Sequence, residues 1–133
     1  MGEKKHIASF KDLEVYKNSY NAMLLVMKEI VVRLPDSEKY DLRDQLSRAC
    51  KSIPRLIAEG YAKRHQRMGF QKYIDDAMAE SNEMVVSLNQ SKDIYPAYID
   101  TKTCENLIDI FDKIGRQLYK LGNSWTNFKR HQS

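Results

Sequence analysis

The sequence predicts an all-α protein, an antiparallel up-down four-helix bundle that assembles into a homo-oligomer. Three observations carry the fold. Apolar residues recur at alternating three- and four-residue spacings in four successive segments, the seam pattern of helices packed at about +20° to their neighbours. Only 5 glycines and 3 prolines interrupt the 133 residues, which disfavours a turn-rich β fold. No run of period two competes with the helical period.

The first helix is expected from about Lys11 to Leu34, with Leu13, Tyr16, Tyr20, Met23, Met27, Ile30 and Leu34 on its apolar stripe. Pro35-Asp36-Ser37 stops it and offers an N-cap for the next helix. That second helix runs from about Glu38 to Arg67 and carries Leu42, Leu46, Ala49, Ile53, Leu56 and Gly60. Pro54 falls inside it, removes the bond to the Cys50 carbonyl, and predicts a kink rather than a break. A third helix begins at Met68-Gly69, with Phe70, Ile74, Ala77, Ser81, Met84 and Leu88 on its stripe. Asp100 or Thr101 caps the fourth, whose stripe is Cys104, Leu107, Phe111, Ile114, Leu118, Leu121, Trp125 and Phe128.

The length fits one domain over 1–133, with polar, flexible tails expected at 1–9 and 129–133. Leu24, Leu25, Val26, Val31 and Val32 lie off the main seam of the first helix, making it apolar nearly all round. A helix of that kind is buried on two sides, so Leu24, Leu25, Val31 and Val32 are expected at a contact with another copy of the chain.

Met1 to Phe10 is polar and lacks the apolar stretch of a signal peptide. Ala22 to Val32 is too short and too charged, with Lys28 and Glu29, to span a bilayer. A cytoplasmic protein without a membrane partner is expected. Cys50 and Cys104 read as reduced core residues, and His6, His65 and His131 lie at no ligand spacing, so neither a metal nor another cofactor is expected.

The net charge of +4 makes the chain moderately basic. Its basic part lies between Arg43 and Lys72, opposed only by Asp44 and Glu59. Arg48, Lys51 and Arg55 step by three and four along one face, and Lys63, Arg64 and Arg67 gather at the second helix's end, where the helix dipole favours cations. With Arg43, these seven are candidates for contact with the phosphate backbone of RNA or DNA. A solvated face with dipole compensation explains them equally well. Asp75, Asp76, Glu80 and Glu83 make the third helix acidic, so a nucleic-acid surface should avoid it. Arg48 and Glu83 each flank a seam residue and are expected to meet as a buried pair that sets helix register.

Catalysis has little to stand on. The sequence holds no Gly-rich phosphate loop, no His-Glu metal motif and no nucleophile with a base in local reach, so no catalytic residues are assigned. Glu59 beside Gly60 reads as a structural carboxylate next to a packing glycine, and Ser81 as bonded to the carbonyl one turn back. Tyr16, Tyr20 and Tyr73 fall mostly on core stripes, leaving no aromatic platform for single strands.

The stretch Leu42, Gln45, Arg48, Ala49, Ser52, Ile53, Pro54, Ile57, Ala58, Glu59, Gly60 resembles the central motif of the 23S rRNA intervening-sequence protein family. Phe10, Leu13 and Tyr16 are similar to the family's opening, Leu34-Pro35 to its first break, and Phe70, Ala77 and Glu83 to its third helix. The chain departs from that pattern at Ser47, Leu56 and Ala79-Glu80, where arginine, asparagine and Gly-Ser are usual. Ile114-Gly115-Arg116, Gly122 and Trp125 also resemble the last helix of accessory variability proteins of diversity-generating retroelements. The first resemblance implies a four-helix bundle associated with RNA or the ribosome. The second implies a homopentamer around an axial channel that binds a reverse transcriptase and nucleic acid. A purely structural assembly protein is the third reading.

Overall fold

The computed structural model describes the backbone of residues 7–132 and the side chains of 7–124. The chain opens on a short 3-10 turn, Phe10–Asp12, held by a reciprocal cap. Ser9 Oγ accepts from the Lys11 N–H at 3.2 Å, and the Asp12 carboxylate accepts from Ala8 and Ser9 N–H at 2.8 and 3.0 Å. Ala8 and Ser9, expected as part of a flexible tail, are hydrogen-bonded to the first turn.

Helix α1 (Glu14–Leu25) continues through a π turn, Val26–Ile30, and a 3-10 turn, Val31–Arg33. The expected stripe is corrected here. Leu13 is buried as expected, but from there to the first residue of the π turn the buried line is Val15, Ser19, Ala22 and Val26, one residue ahead of Tyr16, Tyr20, Met23 and Met27. Downstream the two lines coincide at Ile30 and Leu34. The π turn, which closes a wider ring than the α pattern, supplies that one-residue step. Tyr20 is left 43% exposed in consequence.

Helix α2 (Leu42–Ala62) is shorter than expected at both ends. A 3-10 turn, Asp36–Glu38, precedes it, and its cap comes from neither Asp36 nor Ser37. One Glu38 carboxylate oxygen accepts from the Leu42 N–H at 3.2 Å, while Tyr95 Oη donates to the other. The helix runs on through Pro54, whose ring is buried. It ends where the Lys63 N–H turns back to the Glu59 and Gly60 carbonyls.

Helices α3 (Arg67–Ile94) and α4 (Thr101–Gln132) follow their expected stripes more closely. Phe70, Ile74, Ala77, Ser81, Met84 and Leu88 are all buried, as are Cys104, Leu107, Phe111, Ile114 and Leu118. Leu121 is half-buried, and the side chains of Trp125 and Phe128 lie outside those described. Asp100 caps α4, accepting from the Lys102 N–H at 3.3 Å and Thr103 Oγ1 at 2.6 Å. The backbone of α4 takes in the tail expected from Lys129 and stops at Gln132. The rest of the expected tails, 1–6 and 133, lies outside the described residues.

Each helix packs against its neighbours in the chain, and α1 against α4 closes the ring; among the described residues no pair meets across a diagonal. This is the up-down four-helix arrangement, with one core drawing on all four helices and no strand among the described residues. Full burial of each large side chain contributes about 1.5–3 kcal/mol. Two polar ties cross the α3–α4 seam. Ser81 Oγ donates to the Phe111 carbonyl at 2.6 Å, not to the carbonyl one turn back, and Cys104 Sγ reaches the Leu88 carbonyl at 3.2 Å.

Candidate nucleic-acid interface

The seven candidate cations are spread along the whole of α2 and into the start of α3. Arg43 and Lys63 stand about 30 Å apart along the α2 axis. Arg43 is held at the start of the helix, where its Nη1 donates to Asp36 Oδ1 at 3.1 Å. At the far end, Arg64 donates to the Tyr61 carbonyl at 3.0 Å and lies 4.2 Å from the Tyr61 ring centroid, closing the helix terminus. Arg67, expected at the C-terminus of the second helix, opens α3 instead, so the dipole argument does not hold for it.

Arg48, Lys51 and Arg55 do share a face of α2. The face borders a polar groove of about 440 Å³ against α3, which Glu80 and Glu83 also line. The expected buried pair between Arg48 and Glu83 is not formed. Both are exposed, and Arg48 Nε donates to Asp44 Oδ2 at 3.0 Å within its own helix. Partners one turn away outcompete a cross-groove reach because little side-chain freedom is lost in meeting them. Lys51 and Arg55 form no ion pair with a described residue.

Glu80 and Glu83 of α3 share this groove, and Asp76 lies in the neighbouring one. Partial desolvation and the charges of Glu83 and Asp76 push the Glu80 carboxyl above its ordinary value, with Arg48 opposing. A polyanion entering between α2 and α3 therefore meets carboxylates as well as cations.

On its other side the face borders a second groove, of about 360 Å³, between α1 and α2. Lys51 and Arg55 form its edge, and Phe10, Tyr16, Tyr20 and Met23 line it. The Phe10 and Tyr16 ring centroids are 4.9 Å apart at 73°, and those of Tyr16 and Tyr20 5.9 Å apart at 34°. The reading of these tyrosines as core is corrected: Tyr16 is half-buried and Tyr20 exposed. The only signal in the sequence is the four-residue spacing of the two tyrosines, and the unseen π turn hides which way it faces.

Elsewhere the chemistry is quiet. Cys50 and Cys104 are free and fully buried, and burial pushes both thiols up to about 11, which leaves little thiolate at neutral pH. Among the described residues no group of three or more His, Cys, Asp or Glu is placed to hold a metal. No helix of the described residues is long and apolar enough to cross a membrane.

Comparison with known families finds a match to the 23S rRNA-intervening sequence protein model over residues 11–120. The chain belongs to that family. Membership spans all of α1 to α3 and most of α4, and it agrees with the resemblance carried by the Ser52-Ile53-Pro54 and Ile57-to-Gly60 segment. In this member of the family, Ile53, Pro54, Ile57 and Gly60 of that segment are buried, whereas Ser52 lines the polar groove. That segment is thus largely a packing element of α2. No curated protein matches the chain.

Proposed function

We propose that this chain is a non-catalytic binding protein that associates with nucleic acid through its phosphates and works as a homo-oligomer. The carrying observation is the pair Lys51 and Arg55, one turn apart on the outside of α2 and in no ion pair with a described residue. Arg48 extends the face, while Lys63 and Arg67 add charge around the α2–α3 turn. The family description names 23S rRNA intervening sequences, which makes RNA the first probe.

The test is a salt titration of binding to a short labelled RNA, with and without K51E/R55E. Affinity should fall steeply between about 50 and 200 mM salt, and the double variant should flatten the log–log slope by about 0.7–0.9 per lost phosphate contact. A folded protein that retains no RNA or DNA even at low salt overturns the nucleic-acid reading.

A purely structural assembly role is the second reading. It is favoured by Arg43, Arg48 and Arg64 being engaged within the chain, and by Leu24, Leu25 and Val32 being exposed. The neighbouring gene separates two forms of the first reading. An rRNA insertion points to the ribosome as partner, and a reverse transcriptase to a retroelement accessory role.

A further inference from the structure

The α1–α2 groove has the composition of a seat for an unpaired base. Its lining is aromatic and apolar, from Phe10, Tyr16, Tyr20, Met23 and the buried Pro54. Two cations, Lys51 and Arg55, stand along one edge. Among the described residues no carboxylate lines it. That last point sets it apart from the two grooves where the same face of α2 meets α3, because those are lined by Glu59, Asp76, Glu80 and Glu83. An anion drawn to Lys51 and Arg55 is repelled on the α3 side and meets only aromatic and apolar surface on the α1 side.

We propose that this groove binds a single-stranded nucleic-acid segment, with one base stacked on Tyr20 and the adjoining phosphates on Lys51 and Arg55. The proposal rests on the nucleic-acid reading above and specifies its site and strand form. Tyr20 is 43% exposed although its ring neighbours Tyr16, so part of this side chain is open to solvent in the groove that Lys51 and Arg55 also line. Bases stack on aromatic rings with little regard to sequence, and a groove of about 360 Å³ falls within the ~300–1,000 Å³ of ordinary ligand clefts. A duplex offers no free base face, so it can use only the phosphate contacts.

The probe is a short single-stranded RNA carrying one 2-aminopurine, compared with the same strand annealed to its complement. Stacking on Tyr20 should quench the single-strand fluorescence relative to a bulk polyanion control. Y20A should weaken single-strand binding about tenfold and remove the protein-dependent quench, while Y20F keeps both. Duplex binding should be the same for all three proteins, and matching helical circular dichroism shows that they are folded. Equal binding of single strand and duplex, with Y20A unaffected, overturns the base seat and leaves phosphate binding standing. Loss of every form of RNA and DNA binding overturns both. Displacement of the RNA by an acidic, phenylalanine-bearing peptide, without any 2-aminopurine response, assigns the groove to a protein partner and also overturns the proposal.

Discussion

Gly60 lets α3 lie closer to α2 than a methyl group allows. A Cβ there would sit 3.1 Å from Tyr73 Cβ, an atom that moves only with its helix. Gly60→Ala should cost about 1 kcal/mol in urea melts, because overpacking of about 1–3 kcal/mol outweighs a helix-propensity gain of about 1. Gly122→Ala is the contrast. Its Cβ would meet the far end of Gln71 at 3.3 Å, which can turn aside, so this change should stabilise by up to about 1 kcal/mol. Glu80 gives a pH dependence. Its folded carboxyl holds its proton above the ordinary value of 4.5, so stability falls as pH rises from there through the raised value. Glu80→Gln should therefore raise the melting temperature at neutral pH and change nothing below about pH 4. The gain is small, because water screens this half-buried group.

The elements show how far local pattern reaches. The helical period of α3 and α4 reads directly from their apolar spacing, since every expected α3 position is buried and Cys104 to Leu118 follow suit. In α1 the same reasoning found the helix but turned it by one residue, because a π turn carries no distinct composition. Ser81 was placed correctly in the core and given the wrong partner: its hydroxyl ties α3 to α4 rather than to its own helix. Ser81→Ala should cost about 1 kcal/mol in denaturant unfolding, the net worth of one buried hydrogen bond whose acceptor keeps its helical donor. A cost near zero would mean that the Phe111 carbonyl gains nothing from the tie.

At the scale of the whole molecule, the outer face of α1 carries the question of assembly. Leu24, Leu25 and Val32 are 36%, 43% and 62% exposed, respectively, as an interface requires, whereas Val31, expected beside them, is buried at 7% and belongs to the core. L25E/V32E should reduce the mass seen by light scattering to that of one chain, with helicity unchanged. Wild-type protein already at the mass of one chain would exclude the oligomer. Of the candidate site, residue types were readable in the sequence, and so was the helix of Arg43, Arg48, Lys51 and Arg55, but not that of Arg67 and not their partners. Arg43, Arg48 and Arg64 are engaged within the chain, and Lys51 and Arg55 stand between an acidic groove and an aromatic one.

By itself the sequence determined the number of helices, their class and most of their buried faces, because apolar period and helix breakers act over a few residues. Only the tertiary structure decided which side of α1 faces inward, which carboxylates stand across from the α2 cations, and that Tyr20 is open to solvent. Those depend on where neighbouring helices come to rest, and a one-residue step in a single turn is enough to exchange core for surface.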